Sequence, residues 1–133
     1  MNKLVTFATL TALMLSTPAS AAFARFGYQT VELTNSDFEV IPRGRTDVDG
    51  YWCAAADFAR RDLDAEWQQR IYVTRGYGPS EATGRKSAVQ FSLTAPEGFP
   101  QRTSKIVVGD FRPGYSMSLQ GANGRCGVKP FSD

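Results

Sequence analysis

One stretch of the chain has the residue types of a site for an anion or a sugar. Between residues 75 and 87, three basic residues lie close to three glycines, whose backbones can turn N–H groups toward a negative charge. An aromatic ring for stacking and a hydroxyl group complete the set. The residues expected to bind a ligand there are Arg75, Tyr77, Arg85, Lys86 and Ser87. An ordinary hairpin loop with solvated charges is the alternative.

This stretch is not a nucleotide phosphate loop. That motif has four residues between its glycines, and its lysine directly follows the second glycine. Here five residues separate Gly78 from Gly84, and Arg85 precedes Lys86. Nucleotide binding by this motif is therefore excluded.

Histidine is absent from the chain, which narrows the possible chemistry. Catalysis by a nucleophile paired with an imidazole is excluded, and so is a zinc site with His ligands. The two cysteines, Cys53 and Cys126, are expected to form one disulfide, so that they do not serve as thiolate ligands. We therefore predict no metal and no cofactor. An enzyme would have to use a carboxylate pair, Lys86 together with Ser87, or a cluster of Arg and Lys residues that acts electrostatically.

The carboxylates available to a hydrolase are concentrated within a few residues of one another. A glycosidase needs two such groups about 5 to 9.5 Å apart across a cleft. Arginines are interleaved with these carboxylates at the spacing of helical ion pairs, which favours a solvated face with weak pairs. The acidic residues are Asp57, Asp62, Asp64 and Glu66, and the arginines are Arg60, Arg61 and Arg70. No catalytic residue is predicted from them.

The N-terminal residues have the order of a secretory signal peptide. Lys3 precedes an apolar run from Leu4 to Leu15, and Pro18 then leads into the small residues Ala19 to Ala21. We predict cleavage after Ala21, with cleavage after Ala24 as the alternative. The run of about 12 apolar residues is shorter than the roughly 20 that cross a bilayer, so no membrane span is expected.

Residues 22–133 would then form one small exported domain, periplasmic or secreted. They carry 14 basic and 13 acidic residues, a balance that argues against a nucleic-acid binder. Their two cysteines lie 73 positions apart, unlike the C-x-x-C spacing of a redox pair. In an exported chain this pattern favours a structural disulfide.

One helix and an antiparallel sheet are expected to hold these groups. Residues 51–63 predict a helix whose apolar face recurs at helical spacing, and Asp47 or Asp49 could cap its start. Tyr51 and Trp52 are expected to pack around Cys53 as core. The residues of the helical face are Trp52, Ala56, Ala59 and Leu63.

Alternation of apolar and polar residues predicts the strands. A long hairpin loop is expected from Arg75 to Lys86. The predicted strands are two between Phe26 and Val40 with a turn at Asn35–Asp37, then Gln69–Thr74, Ser87–Thr94, Lys105–Val108 and Tyr115–Leu119, followed by a tight turn at Asn123–Gly124. The fold class is α+β, with one main helix on a sheet of about four to six strands.

Three function classes fit this description. The leading hypothesis is a non-catalytic exported module that binds a protein or an envelope component, and an inhibitor is one form of it. The second is a small anion or carbohydrate binder that uses the stretch from Arg75 to Ser87. The third is a small hydrolase that uses carboxylates or the Lys86–Ser87 pair.

Overall fold

The computed structural model describes residues 21–24, 27–44, 46–100, 102–103 and 111–127. Along the chain, three strands precede the long helix and four strands follow it. The elements are β1 (Ala21–Ala24), β2 (Tyr28–Glu32), β3 (Asp37–Pro42), α1 (Val48–Arg61), β4 (Arg70–Gly78), β5 (Ala88–Ser92), β6 (Arg102–Thr103), β7 (Tyr115–Ser118), α2 (Leu119–Gly124) and a 3-10 turn (Arg125–Gly127).

The strands form one sheet in the order β1-β2-β3-β5-β4-β7-β6. Neighbours from β1 to β7 are antiparallel, and the two-residue β6 adds to β7 in parallel. The predicted α+β class, with a main helix on an antiparallel sheet, is confirmed. The described sheet has seven strands because short β1 and β6 extend a five-stranded antiparallel centre.

The β2-β3 hairpin closes through a side chain as well as the backbone. Thr34 Oγ1 accepts hydrogen bonds from the N–H groups of Ser36 and Asp37, while Leu33 N donates to Asp37 O at 2.8 Å. Short polar side chains that bond the local backbone favour turns over continued strands. The two strands predicted before residue 41 are therefore present and joined where the turn was expected.

Helix α1 begins where the sequence predicts a cap. The Asp47 carboxylate accepts a hydrogen bond from Gly50 N at 3.0 Å, and the Tyr28 hydroxyl donates to Asp47 O at 3.0 Å. A Cβ at position 50 would overlap the Tyr28 ring, so glycine lets the first turn of α1 lie directly on β2.

The main core lies between α1 and one face of the sheet. Alanines supply much of the helix surface, so the helix backbone approaches the strands closely and aromatic rings fill the remaining space. Trp52 is 4% exposed and contacts Phe91, with ring centroids 5.1 Å apart. Other aromatic and alanine residues of this core include Phe38, Ala55, Ala56, Phe58, Ala59 and Phe111. The prediction that Tyr51, Trp52 and Cys53 pack as core is confirmed.

The opposite face of the sheet is also covered, and it is more polar. Glu39 and Ser92 are buried on it, beside a small apolar cluster of Val31, Ile41 and Ala88. The alternation in β5 predicted a strand buried on one face only. That prediction is wrong for Ala88 and Ser92. Both lie on the second face of β5 and are buried, because other parts of the chain cover that face.

Two local predictions are wrong at their ends. Strand β4 continues to Gly78, so the loop after it is shorter than expected, and irregular pairing with β5 at Arg75 and Gly78 lets it continue. The turn predicted at Asn123–Gly124 is the end of α2, which begins at Leu119, where the predicted strand should have ended. The predicted strand Lys105–Val108 lies outside the described residues.

The disulfide between Cys53 and Cys126 is confirmed, with 4.9 Å between the Cα atoms. It joins α1 to the 3-10 turn. Among the helices of the described residues, none has the length and apolar character needed to cross a bilayer.

Candidate binding surfaces

The predicted ligand residues do not all lie together. Tyr77, Lys86 and Ser87 line an open groove of about 400 Å³ with Gly78 and Pro79. Both Arg75 and Arg85 are absent from the lining. Arg75 stands on β4, half-buried, and its guanidinium donates to Ala88 O at 3.4 Å.

The backbone of the loop after β4 is largely bonded within the protein. Ser80 Oγ accepts from the N–H groups of Ala82 and Thr83, and Ser80 O accepts from Gly84 N at 2.9 Å. Arg85 N donates to Thr83 Oγ1. An anion bound here would therefore rely on side chains such as Lys86, since these N–H groups already have partners. Binding by this loop stays a prediction.

A buried carboxylate holds the same loop against the sheet. Glu39 has no exposed surface, and its Oε1 accepts from Glu81 N at 2.8 Å and from Gln90 Nε2 at 3.2 Å. Its Oε2 is buried without a partner among the described residues. Because leaving a buried polar atom unpaired costs free energy, the two bonds to Oε1 offset only part of the cost of burying this group.

Tyr51 fixes the other end of this loop. Its hydroxyl donates to Ser87 O at 2.7 Å, and its ring lies 5.7 Å from Tyr77 and 5.1 Å from Phe111, centroid to centroid. Ser87 has a positive φ of 65°, which is uncommon for a residue with a side chain. Burial raises the pKa of the Tyr51 phenol well above its ordinary value, and the nearby Tyr77 and Asp47 raise it further.

This pKa shift predicts a loss of stability in alkali that depends on Tyr51. Above the ordinary pKa of 10.0 the unfolded phenol ionises while the folded one keeps its proton. The folded state then binds more protons, so the free energy of unfolding falls as pH rises. We expect Tyr51→Phe to lose less stability than the native protein between about pH 9 and about pH 11.5, measured by urea unfolding. Equal losses in the two proteins would contradict the assignment.

A second surface, centred on Trp67, was not predicted. The side chain is 43% exposed, and the Arg60 guanidinium lies 4.3 Å from the ring centroid in a cation–π contact. Arg60 Nη1 also donates to Ala65 O at 2.8 Å. The arginine therefore links the last turn of α1 to the segment that carries the indole.

Several bonds hold the neighbouring segments beside Trp67. Gln120 N donates to Trp67 O at 3.0 Å, and Leu119 N donates to Gln69 O at 2.8 Å. Ser118 caps α2 by accepting from Gly121 N. The disulfide at Cys126 then fixes the turn after α2 to α1. The ring thus stands among segments that are tied to each other by backbone bonds and one covalent link.

Three hollows meet at this ring, and we call them together the Trp67 surface. The largest, of about 340 Å³, lies toward Glu66 and Gln68, and one of about 290 Å³ lies toward Asp57 and Cys126. Arg60 lines both of them. The third, of about 320 Å³, is lined by Trp67, Gln120 and Asn123. These hollows are open, and they share one half-exposed aromatic side chain, which makes this surface a candidate for binding.

One of the carboxylates considered for catalysis is held in an ion pair. Asp57 forms an ion pair with Arg61 one helical turn away, as the interleaved charges predicted. Arg70 donates to Ser116 instead, at 3.0 Å from Nε to Oγ. Asp57, which is paired with Arg61, lies at the edge of the Trp67 surface.

One signal in the sequence could have indicated the Trp67 surface. Trp67 lies in the polar segment Glu66-Trp67-Gln68-Gln69, between the end of a helix and the start of a strand. Gln69 separates Trp67 from the alternating apolar residues of the next strand, so Trp67 does not continue their apolar face. It is therefore a candidate for a partly exposed, functional position.

The fold and the disulfide define a class, that of small disulfide-linked α+β domains. In comparisons with known proteins, no family model matches the chain, and no curated protein or solved structure gives a significant match.

Proposed function

We propose that this protein is a non-catalytic exported module that binds a component of the cell envelope through the Trp67 surface. The observation that carries this proposal is the half-exposed indole, held by Arg60 and surrounded by three hollows. Tryptophan and arginine are the residues that most often dominate the free energy of binding at protein surfaces.

Export is supported by the disulfide and by the pattern of the first residues. Disulfides persist in oxidising compartments and are rare in the cytoplasm. Strand β1 favours cleavage after Ala21 over cleavage after Ala24, because the first cut removes only Ala21 from the strand and keeps Ala22, Phe23 and Ala24 paired with β2. Cleavage after Ala24 would remove these residues and leave β2 as an unpaired edge.

The rigidity of the Trp67 surface also supports a binding role. A surface that is ordered before it meets a ligand loses less conformational entropy on binding. Here the hydrogen bonds from Leu119 and Gln120 and the disulfide at Cys126 set its geometry in the free protein.

The groove beside Tyr77 supports a second candidate function, the binding of a small anion or carbohydrate. Tyr77 is 46% exposed, and Lys86 and Ser87 lie next to it. The buried groups Glu39 and Tyr51 hold the two ends of the loop. This candidate combines Lys86 with a stacking phenol ring, whereas the Trp67 surface combines an indole with amides and with charged side chains of both signs.

Co-sedimentation with an isolated envelope fraction distinguishes the two surfaces. We expect Trp67→Ala to weaken binding about tenfold or more, because it removes the ring that all three hollows share. Phe99→Ala is the matched control, since Phe99 is 48% exposed and lies outside these hollows.

The outcomes assign the function to one surface. If Phe99→Ala and a triple Arg75→Ala, Arg85→Ala, Lys86→Ala variant bind like the native protein while Trp67→Ala does not, the proposal is supported. If the triple variant loses binding and Trp67→Ala keeps it, the loop after β4 is the binding site and the proposal fails.

A further inference from the structure

We propose that the Trp67 surface recognises a neutral carbohydrate, with one sugar ring seated in the hollow formed by Trp67, Gln120 and Asn123. This inference rests on the proposed function and names the chemistry of its ligand. It is carried by the composition of that hollow, which among the described residues joins one indole to two carboxamides and no charged side chain.

Arg60 does not cover the whole indole. It lies over the Trp67 ring and lines the other two hollows, but it does not line the hollow of about 320 Å³. Since the Trp67 side chain is 43% exposed, indole surface remains for a ligand in this hollow. The apolar C–H face of a sugar ring is suited to pack on such an aromatic surface, while its edges stay polar.

The two carboxamides suit hydroxyl groups. A carboxamide both donates and accepts hydrogen bonds, as a hydroxyl does, so each amide can form a pair of bonds with a sugar. Both side chains are exposed, and neither the Gln120 amide nor Asn123 Nδ2 has a hydrogen-bond partner among the described residues. Anionic ligands would instead require arginine or lysine in the lining.

The number of aromatic rings on this surface favours a sugar over a proline-rich peptide. Such peptides are extended helices that dock in grooves lined by several aromatic rings. Among the described residues, Trp67 is the one aromatic side chain that lines the three hollows, so this surface offers a single ring-sized contact.

The hollow is also built from segments that are bonded to each other. The backbone of Gln120 donates to the Trp67 carbonyl at 3.0 Å, so the first turn of α2 keeps its place beside the indole. Asn123 lies one turn further on, where its Oδ1 is 3.9 Å from Cys126 Sγ of the disulfide. The backbones of the three lining residues are thus positioned without a ligand, which lowers the entropic cost of binding a sugar.

Tryptophan fluorescence tests the proposal directly, because Trp67 is half-exposed and Trp52 is buried. The oxidised protein produced from the full chain is titrated with three neutral tetrasaccharides: β-1,4-linked glucose, α-1,4-linked glucose and β-1,4-linked N-acetylglucosamine. We expect at least one to change the emission with saturation. The same sugar should bind at least tenfold more weakly to a Gln120→Ala, Asn123→Ala variant, and not at all to Trp67→Ala by calorimetry.

Three results would overturn the inference, and they separate it from the proposed function. If no tetrasaccharide binds while envelope binding still depends on Trp67, the carbohydrate class is wrong and the binding role stands. If a tetrasaccharide binds equally to Trp67→Ala and Phe99→Ala, the site lies elsewhere. If a proline-rich decapeptide binds and the sugars do not, the ligand is a peptide. Loss of Trp67 dependence in the envelope assay would remove the proposed function itself.

Discussion

Replacing Trp52 by alanine is expected to lower the free energy of unfolding by about 3 to 5 kcal/mol. Trp52 is 4% exposed and lies between α1 and the sheet, with its ring 5.1 Å from Phe91 and 6.0 Å from Phe111. The substitution leaves a cavity in the main core, because the neighbouring side chains on α1 are mostly alanines, which are too small to fill the space. Removing a large buried ring loses both its transfer free energy and its packing contacts.

Trp67→Ala is the matched control for this prediction. It removes the same side chain from a position that is 43% exposed, so the loss should be about 1 kcal/mol or less, mainly from the contact with Arg60. Urea unfolding followed by far-ultraviolet circular dichroism measures both variants without relying on tryptophan emission. Similar losses for Trp52→Ala and Trp67→Ala would contradict the placement of Trp52 in the core.

Removal of the disulfide is expected to cost roughly 4 kcal/mol. The bond closes a loop with a sequence separation of 73, and a crosslink of that length restricts the unfolded chain strongly. The total stability of a domain of this size is about 5 to 15 kcal/mol, so the loss is a large part of it. The relevant variant is Cys53→Ala with Cys126→Ala, because Cys53 is buried and a serine hydroxyl there would need a partner.

Chemical reduction of the native protein provides the control for the double variant. Reduction and substitution should lower the urea midpoint by similar amounts, and the reduced protein should recover on reoxidation. Thiol titration of the unfolded protein should detect no free thiol before reduction and two after it, since both cysteines are in the bond. Two free thiols in the unreduced protein would contradict the disulfide.

Features that depend on nearby residues were predictable. The cap at Asp47, the burial of Trp52 and the turn after Thr34 follow from patterns that repeat over two to four positions. The pairing of Cys53 with Cys126 was predictable for another reason: a chain with only two cysteines and an exported pattern leaves one choice.

Features that depend on contacts between distant residues could not be predicted from the sequence. Helix α2 contains Gly121 and Gly124 in six residues, a composition that predicts a turn rather than a helix. It forms because Leu119 and Gln120 donate to the segment at Trp67 and Gln69, and because the disulfide holds its C-terminal end. Similarly, β4 continues to Gly78 because β5 pairs with it across irregular register.

The two candidate binding surfaces differ in the same way in how far the sequence could predict them. The sequence predicted a site in the loop after β4 because charged residues and glycines occur together in one short stretch. The tertiary structure, however, brings only Tyr77, Lys86 and Ser87 of the predicted residues to one groove. The Trp67 surface combines Arg60, Trp67, Gln120 and Asn123, which come from three separate segments. No local pattern links these residues, so their proximity was not predictable.

The sequence by itself determined the helix start, the disulfide partners, the α+β class and the chemistry that the absence of histidine excludes. These follow from residue identity and short-range backbone preferences. Only the tertiary structure decided which side chains meet around Trp67, because that depends on where the end of α1 and the start of α2 pack. Those positions are set by hydrogen bonds and a covalent link between residues far apart in the chain.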